Sequence, residues 1–443
     1  MGVRGLWEVL QPASTQESIE DYFMREGIVR RQRGERVYRL GIDTSIWFHQ
    51  VQNTFAVGHA QSGENPELRT LFYRLARLLR LHVHAIFVFD GPDRPAEKRG
   101  RRVVPAGHWM VEAMKGFIDA FGYAYWTAPG EAEAELALFN QAGFIDGVLT
   151  DDGDAFLFGA RTVIRNFDAK ATTLTITRAE SVLTHNAVSL SRPGMILFAL
   201  LSGGDYDEGG LPGFGPRVAL GLARYQFGET LCQAVRMHWH GDLSQVLSDW
   251  RNNMRQTLCS DPQNLLGRRY HRLSTQIPDT FPNPDIIDSY IHPVTSPYED
   301  FEVPPLQPPN IARLGALCER YFSWGTVPGI IERFGNCVLP GVVVRVLINQ
   351  TVKHDELCVT KDTYEDPLEP LIQVDRDSRR RRGARTIAVV DTGFAAAATS
   401  ALLGLRPVDD NHPRPASLHY VVLPKLLIPF VWDSDRETTT RGM

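Results

Sequence analysis

The chain has 443 residues, 43% of them hydrophobic and 22% charged, which is the balance of an ordinary globular protein with room for two or three domains. A net charge of −5 gives no global sign of a polyanion partner, and no apolar run approaches the ~20 residues that cross a bilayer. Five scattered cysteines (Cys232, Cys259, Cys318, Cys337 and Cys358) form no CxxC pair, which argues against a disulfide framework and for reduced thiols in an intracellular setting.

The opening MGVRGLWEVL interrupts its apolar residues too often for a signal peptide, and Leu6 stands where myristoylation wants Ser or Thr. A basic run, Arg30-Arg31-Gln32-Arg33, precedes a strand-like stretch at 37–42 that leads into Asp43. Residues 67–81 carry Leu68, Leu71, Phe72, Leu75, Leu78 and Leu79 at helical spacing. A second strand-like run at 85–89 leads into Asp90, and a second basic run follows with Lys98, Arg99, Arg101 and Arg102. Two further amphipathic stretches, 110–121 and 131–141, predict helices; a third short apolar run at 147–150 leads into Asp151 and Asp152. Strands alternating with helices predict a mostly parallel α/β sheet flanked by helices. Residues 191–235 read as helical, broken by GGLPGFGPR, and VPPLQPPN at 303–310 reads as a connector. Beyond it, strand-like runs at 341–348, 386–390 and 418–423 predict a small separate β-rich module, with a third basic run at 379–382.

In parallel sheets ligands bind outside the carboxyl ends of the strands, and all three strand-like runs end on an acid. The segment GEAEAELALFNQAGFIDGVLTDDGDAFLFG, residues 130–159, adds seven acids without one Lys or Arg. Taken singly, each has an ordinary explanation: helix-start acids for Glu131 and Glu133, turn chemistry for Asp152 and Asp154, capping for Asp43 and a Gly-Pro turn for Asp90. The pattern repeats in separate segments, with Asp205 in SGGDYDEGG as one more, and points to one crevice. Converging carboxylates repel one another, and burial raises their pKa values. Two hard divalent cations resolve that repulsion, and a pair roughly 3.5–4 Å apart activates water and stabilises the leaving oxygen of a phosphodiester.

The motifs MGVRGLW, GIDTSIW, FVFDGP, GEAEAELA, LTDDGDAFLFG and SGGDYDEGGLPGFGP occur in this order over roughly residues 1–300. Together they resemble the XPG/flap-endonuclease family of structure-selective nucleases, and in detail its eukaryotic Holliday-junction resolvase branch. The resemblance implies a PIN-like nuclease core at 1–190, a helix–two-turn–helix region at 191–302, the connector at 303–310 and a chromodomain-like module at 311–443. It implies that Asp43, Asp90, Glu131, Glu133, Asp152, Asp154 and Asp205 bind two Mg²⁺ ions, with Mn²⁺ as a substitute. Glu135 and Asp151 receive no role and are expected to be exposed, and Asp146 is expected to hold no metal. Gly213, Gly215 and Arg217 match the DNA-gripping turn, where the family uses K⁺. The family's basic gateway residue falls among Arg94, Lys98, Arg99, Arg101 and Arg102, with Lys98 and Arg99 preferred as aids to catalysis. His82 and His84 are expected to be packing or surface groups.

The implied reaction is hydrolysis of a DNA phosphodiester to a 5′-phosphate and a 3′-hydroxyl, with no covalent intermediate. The implied substrate is branched DNA, four-way junctions and flaps, cut by a chain that is monomeric in solution and dimeric on the junction, in the nucleus and away from any membrane. Three rivals stand beside it: a monomeric flap or bubble nuclease, a non-catalytic branched-DNA scaffold, and a Mg²⁺-dependent phosphatase.

Overall fold

A computed structural model describes residues 2–29, 37–55, 64–81, 83–95, 97–98, 101–102, 110–168, 171–238, 243–297, 299, 301–324, 327–357, 366–375, 386–402, 418–425 and 427–428. For 53–55, 97–98, 101–102, 238 and 351–357 the description is of backbone only. The basic runs at 30–33 and 379–382, together with His82, Arg99 and Cys358, lie outside it.

Strands β1 (Ser14–Ser18), β2 (Tyr38–Asp43), β3 (Val83–Phe89), β6 (Ala124–Thr127), β7 (Gly147–Leu149), β8 (Thr162–Arg165) and β9 (Thr173–Arg178) form one sheet, in the order β1-β9-β8-β7-β2-β3-β6. A separate pair, β4 (Glu97–Lys98) and β5 (Arg101–Arg102), lies between β3 and β6 in sequence. The pairings β6–β3–β2–β7–β8 are parallel, while β9 and β1 join antiparallel at one edge. The chain builds outward from β2 through β3 to β6, then crosses to β7 on the other side of β2. That reversal opens a crevice at the carboxyl ends of β2, β3 and β7, where this fold class binds ligands. Strand β3 is buried along its whole length, as a strand covered by helices on both faces must be.

The three helices expected from hydrophobic periodicity form at Pro66–Leu79, Val111–Ala120 and Ala132–Ala142. The later helical region consists of Arg192–Ser202, Pro216–Arg224 and Phe227–His238, with the glycine-rich break between the first two.

The C-terminal region differs from expectation in part. A small antiparallel sheet is present, β10 (Ile372–Asp375), β11 (Thr386–Asp391) and β12 (Leu418–Val422). Residues 341–348, expected as a strand, lie instead in the helix Leu339–Leu357, which follows helices Ile311–Phe322 and Val327–Cys337. Val342, Val343, Val344, Val346, Leu347 and Ile348 are all at most 2% exposed, as is Arg345, so this stretch of the helix is buried on every side. A helix buried all round loses the amphipathic period that would identify it, and β-branched residues then mimic a strand. Nor is the region separate: these helices and the small sheet share one apolar core with Leu68, Phe72 and Phe117 of the first domain. Phe72 anchors the joint, with Phe334 stacked on it at 6.2 Å and Trp324 edge-on at 5.5 Å.

Candidate metal centre

Asp43 ends β2 and is fully buried. Its Oδ1 accepts from the Ser45 amide (2.9 Å) and hydroxyl (2.7 Å), so it caps the following helix, as the plain reading of Asp-Thr-Ser expects. Its Oδ2 accepts from Thr150 Oγ1 at 3.4 Å, across the sheet from β7. Burial first, then the negative charge of Asp90, pushes the Asp43 carboxyl up to about 7, and Asp152 adds to the rise.

Asp90 follows β3, and its Oδ1 accepts from the Ala132 amide at 3.0 Å, so it caps the helix that begins with Ala132. The cap forms because loop 128–130 presses against Gly91, whose amide donates to Gly130 O at 2.8 Å. A Cβ on Gly91 would collide with the Ala128 carbonyl oxygen, so only glycine permits the contact. Through this contact β3 places Glu131 and Glu133 beside the acid of its own end.

Glu131 is the N-cap residue of that helix, and its Oε2 accepts a hydrogen bond from the Tyr206 hydroxyl. Asp152 and Asp154 close a turn after β7, with the Asp154 amide donating to Asp152 Oδ1 at 3.0 Å. Asp205 follows helix Arg192–Ser202. The Tyr290 hydroxyl is held well above its usual range by burial, then by the negative charge of Asp154, Tyr206, Asp205 and Glu131. Tyr206 packs on the Tyr290 ring with centroids 4.8 Å apart. Gly2 completes the wall: a Cβ there would collide with Asp152 Oδ1 and lie 3.0 Å from Asp154 Oδ1, so the chain start packs on the site.

Asp43, Glu131, Glu133, Asp152, Asp154 and Asp205 are each at most 7% exposed, and the Asp90 side chain is 22% exposed. So many buried carboxylates, with Asp43 already raised by burial and then by its neighbours, make an all-oxygen donor set whose charge a hard divalent cation would balance. Among the described residues no three His, Cys, Asp or Glu side chains close into a preformed cage. A Mg²⁺ site needs none, since it is normally completed by water and phosphate.

The basic candidates are placed unevenly. Arg94 sits 3.3 Å from Asp90 Oδ2, where it partly neutralises that acid. Lys98 lies in β4, and Arg101 and Arg102 lie in β5, so the segment is an antiparallel hairpin at this point. Gly213 adopts φ 86°, Gly215 caps helix Pro216–Arg224 with open space around it, and Arg217 is exposed in the first turn of that helix. His84 is buried; desolvation, then Arg345 and Arg39, lowers its pKa to about 4, so it packs as a neutral ring.

Two expectations about acids fail. Glu135 is 0% exposed and accepts from Trp126 Nε1 (2.8 Å) and the Ser296 amide (3.0 Å). It ties residue 296 to strand β6 and to its own helix. Glu135→Ala strands two donors and is expected to lower the unfolding free energy by about 2–4 kcal/mol, seen as an earlier denaturation midpoint. Asp151 is likewise engaged, receiving a hydrogen bond from Gln50 Nε2 at 2.9 Å. Asp146 accepts from the Arg39 amide at 2.7 Å, remote from the cluster and on the opposite end of β2. Gln50, Thr150, Tyr206 and Tyr290 are site neighbours that periodicity could not reveal, although Thr150 lay inside LTDDGDAFLFG and Tyr206 inside SGGDYDEGG.

Fold and site together define a parallel α/β domain with a carboxylate centre at its switch point. The sequence matches the XPG N-terminal domain over residues 1–102 and the XPG I-region over 122–205, in that order along the chain. It is 30% identical over 256 residues to Flap endonuclease GEN homolog 1 of Mus musculus, covering 53% of this chain and 26% of that protein. The chain thus spans about a quarter of the length of that relative. It is similar over 100% of both chains to the Holliday junction-resolving enzyme GEN1 in complex with product DNA and Mg²⁺ (27% identity, TM-score 0.70). The same coverage holds for a junction-resolving GEN-1 structure with bound potassium (28% identity, TM-score 0.71).

Proposed function

We propose that this protein is a Mg²⁺-dependent endonuclease that resolves Holliday junctions by symmetric hydrolysis and also cuts 5′ flaps. The observation that carries the reading is the gathering of buried carboxylates from four segments at the sheet's switch point. The relatives' activities support it, as does the crystal structure of GEN1 with product DNA and Mg²⁺.

Asp43, Asp90, Glu131, Glu133, Asp152, Asp154 and Asp205 would hold two divalent ions, Mg²⁺ or Mn²⁺. The ions supply an activated water and charge stabilisation of the leaving oxygen. The chain's own part is to orient: Ser45 and Thr150 fix Asp43, and Asp90 fixes the helix that begins beside Glu131. Lys98 and Arg99, with Arg94, Arg101 and Arg102, draw the scissile phosphate toward the acids. Gly213, Gly215 and Arg217 grip the duplex backbone and read no sequence, and K⁺ serves at this turn. We assign 1–190 as the nuclease core, 191–302 as the duplex-gripping region, 303–310 as connector and 311–443 as a chromodomain-like accessory module. One centre per chain requires two copies on a four-way junction, so a monomer in solution pairs on its substrate; the setting is nuclear.

Cleavage of a four-way junction, a 5′ flap and single-stranded DNA should be compared in Mg²⁺. Paired symmetric nicks on the junction are expected. Flap cutting alone would favour the monomeric flap nuclease, and binding without cleavage the scaffold.

A further inference from the structure

We infer that Asp151 is the positioning residue of the metal-bearing turn, oriented by a relay that runs from buried Arg74 through Gln50. The inference rests on the reading of the neighbouring acids as a metal centre. Asp151 immediately precedes Asp152, and its carbonyl and both carboxylate oxygens are engaged. Its main-chain carbonyl accepts from Trp7 Nε1 at 2.9 Å. Oδ2 accepts from Gln50 Nε2 at 2.9 Å, and Gln50 Oε1 accepts from Arg74 Nη1 at 2.8 Å. Oδ1 accepts from the Asn166 amide at 3.4 Å and lies 3.7 Å from Arg165 Nε. The Arg165 guanidinium in turn stacks over the Trp7 ring at 3.7 Å.

Donor and acceptor types fix the direction of this relay. Arg74 is 8% exposed and can only donate, so it holds the Gln50 carbonyl toward itself and turns the amide nitrogen toward Asp151. Donors then face both Asp151 oxygens, which suits a carboxylate and no neutral isostere. The chain start, helix Thr44–Phe55, helix Pro66–Leu79 and the end of β8 are thereby tied to the one residue before Asp152. From there the turn is short: the Asp152 amide donates to Thr150 Oγ1 at 3.1 Å, and the Asp154 amide donates to Asp152 Oδ1. A rotation of residue 151 therefore redirects both carboxylates. Outer groups that orient a ligand typically change metal affinity about 10–100-fold.

The test uses a charge-pattern swap. Asp151→Asn places an amide NH₂ against a donor whichever way it flips. Gln50→Glu opposes two carboxylates. Combined, they restore the relay: the carboxylate introduced at position 50 accepts from both Arg74 and the new amide at position 151, whose carbonyl oxygen accepts from Asn166. Mn²⁺ binding to the DNA-free full chain, followed by electron paramagnetic resonance, is expected to weaken about tenfold or more in each single variant. The double variant should recover to within a few-fold of wild type, and the Mg²⁺ concentration for half-maximal junction cleavage should follow the same order. A purely structural role would lower thermal stability without this swap-dependent recovery in metal affinity. Glu131→Ala with Glu133→Ala serves as the control. If the control loses Mn²⁺ while the single variants bind normally, or the double variant stays as weak as they are, the positioning role is overturned and the metal centre stands. If the control binds normally, the metal reading itself fails. Should Gln50→Glu not fold, Asp151→Asn alone carries the comparison.

Discussion

Replacing Glu131 and Glu133 with alanine is expected to lower junction cleavage at least about 10³-fold while four-way-junction binding, measured without divalent ions, changes by no more than a few-fold. Loss of metal-assisted stabilisation of attacking and leaving oxygens is a transition-state effect, and each tenfold corresponds to about 1.4 kcal/mol of barrier. On the proposed reading binding rests elsewhere, on the glycine-rich turn and basic side chains that would meet phosphates, so ground-state affinity should survive. The fold should survive as well. Glu131 caps the helix without a side-chain hydrogen bond to the helix backbone, and Asp90 already satisfies the Ala132 amide. Removing two buried negative charges from a crowded crevice also relieves repulsion in the metal-free protein. Filter binding and gel cleavage on the same preparation check both halves. Retained cleavage would move the reaction away from this crevice.

Asp43→Asn is expected to stabilise the metal-free protein at pH 8 and to do so by less than half as much at pH 5. The folded carboxyl is raised to about 7 from an ordinary 3.8. A raised folded pKa means that the folded state binds the proton more tightly. Its stabilising contribution is thus complete below the unfolded pKa near 4 and disappears as pH rises through about 7. Raised that far, the carboxyl carries an upper bound of about 4 kcal/mol, so a gain on the order of 2 kcal/mol at pH 8 is expected. Asparagine keeps an oxygen for Ser45 and turns its amide toward Thr150, so little hydrogen bonding is lost. Mg²⁺ should raise the melting temperature of the wild type and have far less effect on the variant, because the variant lacks the charge the cation relieves. Thermal melts at both pH values, with and without Mg²⁺, decide it; a variant less stable than wild type at pH 8 would show that Asp43 is not under electrostatic strain. A protein that accepts this cost maintains a poised site at the expense of its own stability, a common trade in enzymes.

The acids of the centre were legible because each sits at a boundary that sequence marks well. Asp43 and Asp90 close apolar runs too short for helices, and Asp152 and Asp154 lie in a glycine turn after another. The parallel order of β2, β3 and β7 follows from strands alternating with helices, and with it the placement of those ends along one edge. The match to six ordered motifs carried the rest of the inference.

Three features depended on the tertiary structure. Residues 341–348 carry the β-branched composition of a strand, yet they form a helix because neighbours bury every side of it, and burial all round erases periodicity. Glu135 has the same sequence surroundings as Glu131 and Glu133, but its position along the helix turns it toward Trp126 and Ser296. Asp151 stands beside Asp152 and differs from it only in partners drawn from residues 50, 166 and, through the backbone, 7. Sequence by itself determined where charge collects, since local patterning sets which residues end strands and open helices. Which acids face one another and which serve as struts was decided by the packing of distant segments, because a carboxylate's role depends on the donors around it and those arrive only when the chain has folded.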